Sequence, residues 1–584
     1  MSEPKEMSAE LRALLAGVLC LLVLFGWSLI YKPPKPAPSP VATQPAPEVA
    51  SPQAPPSSAA VAAVEAAKPV VPARAAKTEQ TIVVESDLYR VELSNLGGVV
   101  RSWQLKKYED ENVPPRTLDL VNPDAAEQLK SWPFSLALDN SQLEAQANTA
   151  MYEVTTPPST GASLRAPAEI TFSWSDGHLE VTKHLKFGAG YMMDAEISAR
   201  LDGKPLASSL SWRGGFGDAT VVSRRGSIPP QVFFSRDGKI DTLVAKKLGQ
   251  PNQPTERITQ LGPYDFVGIE DMYFTAAFLP QLGPSGQLPL ASLTLTDWAP
   301  EREIHQPDGK VTKDSVPEMG AGSLVPGPLA FRIYVGPKSI DGLKAVTPPL
   351  NGLVQFGWLT VIAEPLFYGL RWLHGYFPNY GWDIVLLTIA INMVMFPLKL
   401  KQMRAAQKMQ RAAPEVKAIQ EKYKKYSMRD PRKAEMNKEI MAIYSREGIN
   451  PLGSCWPMLV QLPIWYAFYR TLEYTIELRH APWIFWVHDL SAPDPTYVLP
   501  ILLGLTMFAV TKMTPTPGVD PAQARMMSIM PLMFGFFFIF YPSGLSLYIL
   551  ASNVVGIAQQ LYLNRTMPPP APVKNWHGPG GKKK

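Results

Sequence analysis

Cysteine is nearly absent. The 584 residues contain two, Cys20 and Cys455, both within apolar runs, so no disulfide framework stabilises any part of the chain. Histidine is scarce at seven, and no HExxH, no GxSxG and no metal-spaced Cys/His cluster occurs. These gaps remove the commonest signatures of metallohydrolases and serine hydrolases, and no metal, cofactor or enzyme activity is expected. A large net charge is missing too: the formal value is +5, and no DNA partner is expected. Strong average hydrophobicity is also lacking, with a mean hydropathy of −0.04, but that average hides a division between long apolar runs and ordinary soluble sequence.

Taken in order, residues 12–31 form the run RALLAGVLCLLVLFGWSLIY, of about the length that spans a bilayer. The run exceeds a signal-peptide h-region and no A-x-A site follows closely, so residues 1–31 are expected as an uncleaved anchor. Residues 32–78, rich in Pro and Ala, read as an extended tether. From residue 79 the period changes to two. Tyr89, Val91 and Leu93 alternate with Arg90, Glu92 and Ser94, and Phe331, Ile333 and Val335 repeat the pattern. Many such runs between Gly, Pro, Asn and Asp predict a large antiparallel β-sandwich over 79–338. Its histidines, His178, His184 and His305, form no motif, and they read as ordinary strand or hairpin residues.

Residues 348–377 hold Trp358, Tyr368 and Trp372, with Leu366, Phe367, Leu370 and Leu373 at helical spacing, and Glu364 and Pro365 argue against a continuous span, so an amphipathic helix at the membrane interface is expected. Five further apolar segments follow, near 382–398, 457–472, 497–512, 526–541 and 545–563. Lys399, Lys401, Arg404, Lys408 and Arg411 come directly after the first of them and place that end in the cytoplasm. Between Lys399 and Glu447 fourteen Lys and Arg oppose six Asp and Glu, and two short amphipathic helices over 399–449 are expected to form a cytoplasmic hairpin. The aromatic group Trp483, Phe485 and Trp486 suggests another interfacial helix. The fold class expected is a polytopic α-helical membrane protein with six transmembrane helices, a five-helix core over 380–565, and a large all-β sandwich on the far side. Both termini, including the basic tail 566–584, then lie in the cytoplasm. Several spans are short, which favours local bilayer thinning. Asn392, Gln461 and Arg470 sit inside apolar segments, where polar groups usually face a wet cavity or a protein partner.

The stretches FPLKLKQ, INPLGSCWPMLVQLPIWYA, IELRHAPWIFWVHDLSAPDP, LPILLGLTMF and YPSGLSLYILASN together resemble the YidC membrane protein insertases of Gram-negative bacteria, over nearly the whole chain. EDMYFTAAFLP and FRIYVGP are similar to the periplasmic domain of that family. The resemblance implies a hydrophilic groove within the five helices, open to cytoplasm and lipid but closed to the periplasm. It also implies insertion of nascent membrane proteins into the inner membrane without ATP hydrolysis, alone or with the Sec translocon. Membrane lipids are the third implied partner. Positions matching Thr388, Trp465 and Tyr548 lie along the substrate path, and Asn392, Gln461, Arg470, Ser552 and Asn553 complete the expected groove set. Lys399, Lys401, Arg404, Lys408 and Arg411 are the expected surface for recruiting substrate or ribosome. One departure stands out: many family members carry a cation five residues before the FPL proline, and here that position is Asn392. Arg470 is then expected either to supply the groove's positive field or to snorkel outward and pair with Glu473. The alternative function is an ion or solute transporter, which would call for paired midplane ionisable groups or repeated halves, and neither is visible.

Overall fold

Alternating side chains build the first half of the molecule. Along Tyr89–Ser94, Tyr89, Val91 and Leu93 are buried while Arg90 and Glu92 keep contact with solvent. The coordinates, a computed structural model, describe residues 72–566 apart from 158–162, 221–227, 251–252, 282–292, 306–310, 324, 427–429, 447, 449–455 and 514–520. The expected anchor, nearly all of the tether, both cysteines and the tail beyond Thr566 lie outside the described residues.

The largest sheet has ten strands. Across it run Lys239–Val244, Gln231–Arg236, Phe266–Glu270, Phe274–Pro280, Leu329–Pro337, Met192–Leu201, Leu179–Phe187, Ala168–Ser175 and Glu153–Thr155, with the short Lys204–Pro205 paired on Met192–Leu201. Two five-stranded sheets accompany it. Pairing is antiparallel except between Thr81–Glu85 and Leu164–Arg165. The last strand, Leu329–Pro337, lies mid-sheet, with Ala276 opposite Val335 on one side and Ala195 opposite Phe331 on the other. The sandwich therefore closes only when the strand that leads to the membrane core is in place. Trp103, Phe134 and Trp212 fill its centre, with successive ring centroids 6.2 Å apart in edge-on arrangements.

One residue breaks the alternation's apolar rule. Lys183 occupies a buried position of Leu179–Phe187, and its Nζ donates to the carbonyls of Gly97 (2.8 Å), Gly98 (3.1 Å) and Phe134 (2.8 Å). Gly97 has φ +79, and a Cβ there would stand 2.4 Å from the Asn148 carbonyl oxygen, so the turn that aims these carbonyls requires glycine. Burial pushes the Lys183 pKa down from 10.5 to about 7. Between those values the unfolded chain holds a proton that the folded domain gives up, so stability rises with pH across this window. Lys183→Met, which strands three carbonyls, is expected to cost about 2–4 kcal/mol and to abolish that rise. Unfolding of the full chain in detergent from pH 7 to 10, read by circular dichroism, checks both; parallel profiles for the two proteins refute the assignment.

The second half is helical: α1 (Thr360–His374), α2 (Tyr380–Val394), α3 (Phe396–Lys422), α4 (Arg432–Arg446), α5 (Trp456–Tyr474), α6 (Val498–Met513), α7 (Pro521–Phe537) and α8 (Ser543–Thr566). Among the described residues α8 alone is long and apolar enough to cross a membrane by itself, and the bent pair α2–α3 passes together. The segment expected over 382–398 is thus not one straight span. It turns by 51° at Met395, and Pro397 falls in the first turn of α3, where its missing N–H is harmless. The α3–α4 hairpin is closed by Ala412, Val416 and Ile443 and by Lys422–Glu439 at 2.9 Å. Helices α6 and α7 approach closely because two glycines face each other: a Cβ on Gly535 would lie 3.1 Å from the Gly504 Cα.

Helix α1 is two-faced, as its pattern predicts. Ala363, Phe367 and Leu370 are buried, while Val361 and Trp372 are exposed. The buried side joins an apolar cluster that runs from Phe233 and Leu279 of the sandwich through Phe356 to Ala467 and Tyr474 of α5, so the two halves share a core. The helix expected around Trp483 and Trp486 is absent. After the single 3-10 turn Ile476–Leu478 the chain is irregular, because His480 (φ +57) and Phe485 (φ +46) adopt left-handed backbone that interrupts any helix.

Candidate functional site

Spacing on α2 and α8 brings polar groups together inside the helical half. Thr388 and Asn392 are one turn apart on α2, and Tyr548, Ser552 and Gln559 share a face of α8 at intervals of four and seven. Thr388 Oγ1 donates to the Ile384 carbonyl at 2.6 Å, and Asn392 Nδ2 donates to the Thr388 carbonyl at 2.9 Å and to Ser552 Oγ at 3.3 Å. Gln559 Nε2 donates to the Asn392 carbonyl at 3.1 Å. Asn392 is 4% exposed, so its side chain belongs to the interior.

The charge at this cluster comes from Lys399. Its Nζ reaches back over two turns from α3 and donates to Asn392 Oδ1 at 3.1 Å and Gln559 Oε1 at 2.8 Å. Both acceptors are neutral amides, and among the described residues Lys399 forms no ion pair. The ammonium borders a cavity of about 400 Å³ whose lining includes Leu398, Gln402, Gln461, Trp465 and Phe534. Gln461 and Trp465 thus face Lys399 across open space, with Gln461 exposed. Asn553 is turned to another neighbour, donating to Thr506 Oγ1 of α6 at 3.2 Å. Tyr548 is buried and stacks on Phe468 of α5 with centroids 4.2 Å apart.

Arg470 is not brought to this cluster. It lies nine residues beyond Gln461 on α5, about 13 Å along the axis. There Nη1 is 3.4 Å from Glu473 Oε2, Nη2 donates to the Gln355 carbonyl, and the guanidinium carbon sits 3.7 Å over the Tyr474 ring. Of the second expectation, the geometry shows the pairing with Glu473, with a side chain that is only 15% exposed. Lys399 departs from its expected company as well. Lys401, Arg404, Lys408 and Arg411 are all exposed on α3, whereas Lys399 is half-buried and turned inward. Gln559 is a cluster member that the sequence reading missed, although its spacing from Ser552 was a visible signal.

Two family models match the chain. One, described as 60Kd inner membrane protein, covers residues 372–570, and the other, described as YidC periplasmic domain, covers 81–369. A protein of Syntrophus aciditrophicus named membrane protein insertase YidC is 33% identical over 573 residues, 95% of this chain and 99% of that relative. One of the same name from Geobacter metallireducens is 34% identical over 578 residues, 96% and 99% of the two chains. A third, from Cupriavidus pinatubonensis, is 31% identical over 505 residues, 85% and 84%.

Proposed function

The chain belongs to the YidC family of membrane protein insertases, with a periplasmic β-sandwich domain and a C-terminal helical core, and on that premise we propose that Lys399 supplies the charge of its groove. The protein inserts membrane proteins into the inner membrane, a task that calls for no covalent chemistry. An incoming apolar helix gains free energy on entering lipid, but its polar flank pays heavily to cross hydrocarbon. A wet cavity beside Gln461 and Trp465 shortens the dry path, and an ammonium held only by neutral amides is free to exchange them for a carboxylate or carbonyl of the moving segment. The observation that carries this reading is the position of Lys399 between Asn392 and Gln559.

In the full reading Thr388, Asn392, Gln461, Trp465, Tyr548, Ser552 and Asn553 line or shape the substrate path. Arg470 braces its outer end. The chain crosses the membrane six times, with both termini in the cytoplasm and the sandwich in the periplasm. Lys401, Arg404, Lys408 and Arg411 remain the proposed recruitment surface for substrate or ribosome, and the Sec translocon the proposed partner for larger substrates. Reconstitution tests the reading. Purified protein alone in proteoliposomes is expected to insert a small single-span substrate; solute flux without insertion would establish the transporter instead.

A further inference from the structure

Where the sandwich rests on the loop after α5, three potential metal ligands converge from segments far apart in sequence. Glu111 follows the strand Val99–Glu109, and its backbone N–H is fixed by Thr220 Oγ1 at 3.0 Å. His480 has φ +57, a left-handed conformation that non-glycine residues rarely adopt, and its Nε2 lies 3.2 Å from Glu111 Oε1. Asp489 is oriented through Oδ1, which accepts from His480 N at 3.1 Å, Ser491 N at 2.8 Å and Ser491 Oγ at 2.7 Å. One ligand atom of each residue lies within 4.8 Å of the other two. Bonds of about 2.0–2.2 Å in a tetrahedral zinc site place ligand atoms about 3.3 Å apart, so the His480–Glu111 pair is already at ligand spacing.

The charge at the trio also suits a dication. Glu111 and Asp489 place two carboxylates beside one imidazole. The nearby Arg479 is shared: its Nη2 pairs with Asp218 Oδ2 at 2.5 Å and reaches Glu111 Oε1 at 4.0 Å. One imidazole with two carboxylates, and no sulfur, matches Zn²⁺ better than soft Cu(I) or the all-oxygen shells of Ca²⁺ and Mg²⁺. Glu111 and His480 keep 15% and 30% of their side chains exposed, which leaves an entry path and a fourth position for water.

We propose that Glu111, His480 and Asp489 form a Zn²⁺ site that fastens the β-sandwich to the membrane core. The site is separate from the groove and does not depend on how insertion works. Zinc held by both halves binds only when they are docked, so it stabilises that arrangement by mass action.

The test uses untagged full-length protein in detergent, stripped by a chelator and titrated with Zn²⁺ against a fluorescent chelator. The wild type is expected to bind one equivalent, with affinity at least about tenfold weaker in His480→Gln and in Glu111→Gln. Zinc should raise the unfolding midpoint of the wild type and not of these variants. Unfolding of all three proteins in chelator separates a loosened fold from a lost ligand, and the visible bands of bound Co²⁺ report a four-coordinate site in the wild type without any substitution. Absence of stoichiometric Zn²⁺ in the wild type, or unchanged affinity in both variants, overturns the proposal.

Discussion

Lys399→Met is expected to slow insertion of a small substrate with an acidic flank by about 10- to 100-fold in proteoliposomes. The magnitude follows from the interaction removed: a hydrogen bond to a charged group is worth about 1.5–3 kcal/mol, and each 1.36 kcal/mol on a barrier is a factor of ten. Lys399→Arg should keep most of the rate, since it preserves charge and donors. Lys399→Gln should fall between, since it preserves polarity without charge. Arg470→Gln, by contrast, is expected to leave the rate within about twofold while lowering stability, because its partners are Glu473, the Gln355 carbonyl and Tyr474 at the end of α5.

The strongest form of this prediction moves the charge. Asn392 Oδ1 is 3.1 Å from the Lys399 ammonium, so a lysine at 392 would begin from the place where that ammonium already is. Asn392→Lys combined with Lys399→Met is therefore expected to regain most of the lost rate. Wild-type activity in Lys399→Met, or equal loss in Arg470→Gln, would remove Lys399 from the proposal. Activity that stays lost in the double variant would show that the lysine acts from α3 and not merely through its charge.

How much of this was legible beforehand depends on the range of the interaction. Alternation at Tyr89, Val91 and Leu93 is local, and it foretold the sandwich. Asn392 and Gln461 stood out because amides interrupt apolar runs. The proposed groove cation was not local: Lys399 meets Asn392 across the bend at Met395 and Gln559 from 160 residues away in the chain. A straight helix through 382–398 put Lys399 among the solvent cations and left Arg470 as the obvious substitute. The loop at 479–491 misled for a related reason, since its aromatic residues carry a helical-looking hydrophobic signal while positive φ at His480 and Phe485 forbids the helix. The pairing of Arg479 with Asp218 spans 261 residues and leaves no trace in any sequence window.

That pairing carries the other large expected effect. Arg479→Met should destabilise the docking of the two halves by about 3–5 kcal/mol, the usual cost of stranding one member of a buried ion pair. Both side chains are almost fully enclosed, Arg479 at 2% and Asp218 at 3% exposure, so solvent cannot take over from the lost partner. Asp218 is in turn fixed from the sandwich side: its backbone N–H donates to Asp271 Oδ2 at 2.9 Å, and its Oδ1 accepts from Thr220 N at 2.9 Å. It cannot swing away to find water. Asp218→Asn removes the stranded charge and keeps an oxygen for Thr220. The double variant Arg479→Met with Asp218→Asn is accordingly expected to recover more than half of the loss. Limited proteolysis and thermal unfolding of the full chain in detergent read the effect, with new cleavage between residues 338 and 360 expected in the single variant only. If the double variant is no more stable than Arg479→Met, the loss reflects the packing of the arginine stem against Phe274, whose ring lies 5.5 Å from the guanidinium carbon, and the ion pair is not what holds the domains together.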